Sequence, residues 1–87
     1  MKIKNNNILK KIDNSYVILP LSDHSLELDV ILKVNEVGAF IYSCLENETT
    51  KEEVLAKILA KYEIDEATAS ADLEAFLKAL SDKGLLE

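Results

Sequence analysis

The sequence predicts an α+β fold in which a small three-stranded antiparallel sheet is followed by a cluster of three helices, in the order βββααα. Three observations carry this. Up to Val34 the apolar residues come in short β-branched and aliphatic runs, with turn residues between them. At Asn35 the apolar spacing changes from two to the three-and-four of a helix. Beyond it, three amphipathic segments each begin at a residue able to cap a helix.

The first two strands are read at 8–12 ("ILKKI") and 16–20 ("YVILP"), joined by "DNS", whose side chains bond their own backbone in turns. Pro20 ends the second, because it has no amide proton for a ladder. The third strand is expected over 26–34, "LELDVILKV". Leu26, Leu28, Val30, Leu32 and Val34 share one face, while Glu27, Asp29, Ile31 and Lys33 share the other. Asn35 then caps a helix over about 36–46, whose apolar stripe is Val37, Phe40, Ile41, Cys44 and Leu45. Thr50 and Glu53 form a capping box ahead of a second helix over about 51–62, which buries Val54, Leu55, Ile58 and Leu59. Asp65 caps the third, which runs to about Lys83 with core positions Leu73, Phe76, Leu77 and Leu80. Gly84 supplies the left-handed residue that closes it, and "LLE" folds back. The whole reads as a single domain over residues 1–87, of which 1–7 can be disordered.

Size and charge narrow the function. Eighty-seven residues leave room for one core and little else, since domains of this size bury only about 60 to 65% of their unfolded surface. A deep catalytic cleft is therefore not expected, and the chain is read as not an enzyme. The net charge is −6. Residues 1–45 balance five lysines with five acids, whereas residues 46–87 set five lysines against eleven acids, leaving no basic face for a phosphate backbone. Cys44 is the sole cysteine, which rules out an internal disulfide and fits a reducing cytoplasm. No apolar run is long enough for a signal peptide or a membrane span. His24 stands in a turn beside Asp23 without the further ligands of a metal site, Gly38 and Gly84 are the only glycines, and no cofactor is implied. Cys44 lies on the buried stripe of the first helix and reads as a small hydrophobe. Tyr16, Tyr42 and Tyr62 are too scattered for a stacking platform.

The runs "VNEVGAFIYSCLENETTKEEVLAKILAKY" and "ADLEAFLKALSDKGLLE" carry a resemblance to the PqqD-like proteins, named after synthesis protein D of coenzyme PQQ and also called RiPP recognition elements. The likeness covers about residues 8–87 and rests on Asn35, Glu36, Gly38, Thr50, Gly84, Leu85 and Leu86 in this order and spacing. It implies a winged-helix-like fold and a non-catalytic peptide chaperone. Such a module binds the leader segment of a ribosomally made precursor peptide and presents it to a modifying enzyme, often a radical-SAM enzyme. The leader would add as a strand to the edge of the third strand and lie against the third helix. Carried onto this sequence, the peptide-binding residues are Leu28, Asp29, Val30, Ile31, Leu32 and Lys33 on the strand, with Ala69, Asp72, Phe76, Ala79 and Lys83 on the helix. Small residues on that helix flank would leave a shallow trough beside Phe76.

Two other functions stay open on the sequence. "SDHSLELDVI" resembles the stretch at which carrier proteins attach phosphopantetheine, which would make Ser25 the site, although strand-like runs and Pro20 precede it where a carrier needs a helix. A winged-helix DNA-binding protein would share the architecture, but Asp65, Glu66, Asp72, Glu74 and Asp82 outnumber Lys78 and Lys83 on the reading helix. The chain could act as a monomer or, through a free strand edge, as a dimer.

Overall fold

A computed structural model describes residues 1–21 and 31–87. It contains β1 (Asn7–Ile12), β2 (Ser15–Pro20), β3 (Leu32–Val34), α1 (Glu36–Cys44), α2 (Lys51–Lys61) and α3 (Glu66–Asp82), the βββααα order read from the sequence. The strands are antiparallel in the order β1-β2-β3, so β1 and β3 are both edge strands. Asp13 takes a left-handed φ of 55° in the β1–β2 turn, a conformation that Asp tolerates better than most side chains. Of the third strand expected over 26–34, Leu32–Val34 is seen, and 26–30 lie outside the described residues.

Each helix start forms as its capping residue predicts. Asn35 Oδ1 accepts from the Gly38 amide at 2.8 Å, Thr50 Oγ1 from the Glu53 amide at 3.2 Å, and Asp65 Oδ2 from the Thr68 amide at 3.1 Å. The bonds to Thr68 also hold the Asp65 carboxyl below the usual range. At the end of α3, Gly84 has φ 71° and donates to the Ser81 carbonyl at 3.0 Å. Leu85 N–H reaches the Leu80 carbonyl at 2.9 Å, which completes a Schellman closure.

The core lies between one sheet face and the helices, where Ile18, Leu45, Val54, Ile58, Leu73 and Leu80 are fully buried. Leu9 and Leu32 share the row of Ile18 and pack against this core. Ile31 departs from the expected alternation. Its amide donates to the Ile18 carbonyl at 2.8 Å although Leu32 is the register partner of Ile18, so two residues oppose one, as at a β-bulge, and Ile31 packs against the core.

Residues 1–7 make contacts with both α1 and the C-terminal end. Ile3 is buried; its amide donates to the Leu45 carbonyl, the Lys4 amide to the Leu85 carbonyl and the Glu87 amide to the Lys2 carbonyl, each at 2.8 Å. A lone isoleucine between lysines shows no periodicity, and its partners lie more than forty residues away in sequence. Tyr42, read as a scattered tyrosine, is also core. Its hydroxyl donates to Asn7 Oδ1 at 2.6 Å, and the Asn7 amide group donates to the Lys4 carbonyl at 3.2 Å. The N-terminal segment is thus pinned to α1 through two buried polar side chains.

Gly38 sets the approach of the third helix. A Cβ added there would lie 3.2 Å from Phe76 Cε1 on α3 and 3.2 Å from Val34 Cβ on β3. A methyl group there would press on both, so strand or third helix would have to give by a few tenths of an ångström.

Two outcomes are expected in urea denaturation. Tyr42→Phe leaves the buried Asn7 oxygen without its donor and lowers stability by about 1–3 kcal/mol. Gly38→Leu overpacks the joint and lowers it by about 1–3 kcal/mol, although Leu is the better helix former. The phenol also sets a pH limb. Burial foremost, with Glu46 second, raises the folded Tyr42 pKa above its ordinary value of 10.0. The unfolded chain therefore ionises at this phenol first as pH rises, so the contribution of Tyr42 to stability is flat through neutrality and falls above about pH 10. The fall in stability is shallower in Tyr42→Phe.

Candidate peptide-binding groove

Hydrogen-bond parity along the sheet decides which backbone groups are open. Leu21 N–H donates to the Asn6 carbonyl at 2.9 Å, which makes 6 and 21 a bonded pair in the β1–β2 register. Bonded pairs recur every second residue in an antiparallel ladder, so β2 turns its 17 and 19 backbone groups to β1 and those of Tyr16 and Ile18 to β3. Val34 and Leu32 face these two. Lys33 lies between them and turns its N–H and C=O away from β2, to the open edge of the sheet.

Beside that edge runs a groove of about 290 Å³ between β3 and α3. Val34, Val37, Ile41 and Phe76 supply its apolar surface, and Gly38, Ala75 and Ala79 keep it open. Lys33 stands on the strand lip and Asp72 on the helix lip. Among the described residues the lips carry one charge of each sign, and most of the remaining lining is apolar.

Of the residues expected on the strand, Leu32 and Lys33 line this groove, while Leu28, Asp29 and Val30 lie outside the described residues. Ile31 packs on the core. Of those expected on the helix, Asp72, Phe76 and Ala79 line it. Ala69 has no exposed surface and lies outside this lining, one turn before Leu73 on the buried stripe of α3. Lys83 is the exposed C-cap of α3 and lies beyond the groove. Phe76, read as a core residue, is only half-buried because Gly38 seats one edge of its ring while the rest faces the groove.

Val37 and Ile41 were legible only as the buried stripe of α1. The usable signal was Gly38 between them, since a glycine inside a first turn marks the place where another element comes close.

Other chemistry is sparse. Burial raises the Cys44 thiol pKa, partly offset by Lys57, which leaves a protonated, weakly nucleophilic sulfur. Ser25 and His24 lie outside the described residues, and β1 and β2 precede them where a carrier protein has a helix. On α3 the Lys78 ammonium is 3.2 Å from Asp82, so the few cations of a supposed DNA-reading helix are further reduced.

A family model described as coenzyme PQQ synthesis protein D (PqqD) matches residues 16–86. No functionally curated protein matches the chain in sequence. Among solved structures, it is similar to TbiB1 in complex with the TbiA(beta) leader peptide, at 36% identity and a TM-score of 0.75 over 100% of this chain and 95% of that one. Its fold also matches lasso peptide synthetase B1 complexed with the leader peptide, at 18% identity and a TM-score of 0.71 over 97% and 93% of the two chains. With groove, strand order and helix caps in place and a family model spanning most of its length, the chain belongs to the PqqD family.

Proposed function

We propose that the chain is a non-catalytic module of the cytoplasm that captures the leader segment of a ribosomally synthesised precursor peptide and presents it to a modifying enzyme, for which the radical-SAM class is one candidate. The observation that carries this reading is the open Lys33 backbone beside an apolar groove, the geometry in which an added strand gains main-chain bonds on one side and side-chain seats on the other. The leader-bound state of the 36% identical TbiB1 supports it.

Two substitutions separate the two halves of the site. Lys33→Pro removes the donor that faces the peptide while leaving the β2–β3 bonds of Leu32 and Val34 in place, a position at which an edge strand tolerates proline. Ala79→Glu fills the groove from α3 with a charge. In a fluorescence titration with labelled TbiA(beta) leader as first probe, each variant is expected to bind at least about tenfold more weakly than wild type, with an unchanged melting midpoint. Retention of full affinity by both variants would reject the groove.

A further inference from the structure

The sheet has a second open edge. Among the described residues no strand pairs with the outer side of β1, and the same parity that turns Lys33 away from β2 turns the N–H and C=O of Leu9 and Lys11 outward there. Of the large hydrophobic side chains left exposed among the described residues, two are on this strand, Ile8 at 41% and Ile12 at 48%, and Leu21 at 57% follows the end of β2. Ile8 and Ile12 project from the face opposite the helices, with Lys10 between them.

Charge singles out the same edge. Residues 1–12 hold Lys2, Lys4, Lys10 and Lys11 and no acid, in a chain of net charge −6. The register places Lys10 on the outer face, while Lys11 lies on the helix side with its ammonium 5.8 Å from the centre of the Tyr16 ring. The edge is therefore flanked by a cation on each face. None of the side-chain ion pairs among the described residues uses them. A hollow of about 530 Å³ runs alongside, walled by Lys4, Ile8, Leu9 and Leu21, with Glu46 as the one acid on its wall.

These features choose among occupants. A second copy would bring its own lysines to a patch already rich in them, which is how edge strands discourage self-pairing. An acidic strand meets complementary charge, unpaired backbone and apolar neighbours together. We propose that β1 is a docking edge for an extended acidic segment of a partner protein, with adjacent carboxylates opposite Lys10 and Lys11 and apolar residues beside Ile8 and Ile12. This rests on the reading above only in naming the leader-receiving enzyme as the protein expected to carry the segment. A leader on β3 and an enzyme segment on β1 would occupy opposite edges of one sheet and could be held at once.

The test follows backbone amide shifts of the ¹⁵N-labelled full chain titrated with acetyl-Val-Thr-Glu-Glu-Val-Thr-amide and with its Lys-Lys counterpart. The acidic peptide is expected to shift Asn7–Ile12, with Leu9 and Lys11 most affected. Both the Lys-Lys peptide and the Lys10→Glu/Lys11→Glu variant should bind at least about tenfold more weakly. That variant should take the TbiA(beta) leader as wild type does. Equal binding of the two hexapeptides, shifts confined to Ile31–Val34 or scattered over surface lysines, or concentration-dependent shifts of β1 without peptide would each overturn the proposal. Failure of wild type to bind any leader would overturn the module reading alone.

Discussion

The missing side chain at Gly38 governs how the second half of the molecule sits on the first. β3 hands over to α1 at Asn35, whose side chain bonds the Gly38 amide and fixes the angle of that turn. Gly38 then lets the Phe76 ring come against the joint, with Val34 at the same distance on the other side. One contact point thereby holds an edge strand, the first helix and the last helix in fixed relation. The same stretch, "NEVGAF", also supplies Val37 and Gly38 to the lining of the groove.

The groove works with modest forces. Lys33 and Asp72 offset each other across it, and its apolar surface is small, so neither charge nor area alone would hold a peptide tightly. An unpaired strand edge changes that balance, because each bond formed there replaces water on a backbone already rigid in the sheet. The opposite edge differs in kind. β1 carries a lysine on each face, with exposed Ile8 and Ile12 on either side of Lys10, and it lies across β2 from the groove. Among the described residues, one edge sets Lys33 against Asp72 across the groove, while the charges of the other are lysines alone.

Most of the fold was legible because its signals are local. Asn35, Thr50 and Asp65 bond amides three residues ahead, and Gly84 closes α3 within its own turn, so spacing alone was enough to place all three helices. What escaped reading depends on distant partners. The bond between Tyr42 and Asn7 spans thirty-five positions, and Ile3 finds its carbonyl at Leu45. Ile31 was assigned to the outer face by strict alternation, and one off-register bond to Ile18 undid that. Ala69 and Phe76 show the limit for the site. A helical wheel places both near the same flank, but the ring meets the joint at Gly38 and lines the groove while the alanine is fully buried.

The Lys33 amide, directed away from β2, is the group that an added leader strand would bond first. Residue-resolved hydrogen exchange of the full chain, with and without saturating leader peptide, reads that group directly. Slowed exchange at Lys33 on leader addition, with Leu32 and Val34 already protected by β2 and little changed, is the predicted result. Exchange at Lys33 that stays as fast in the saturated complex as in the free protein would contradict it.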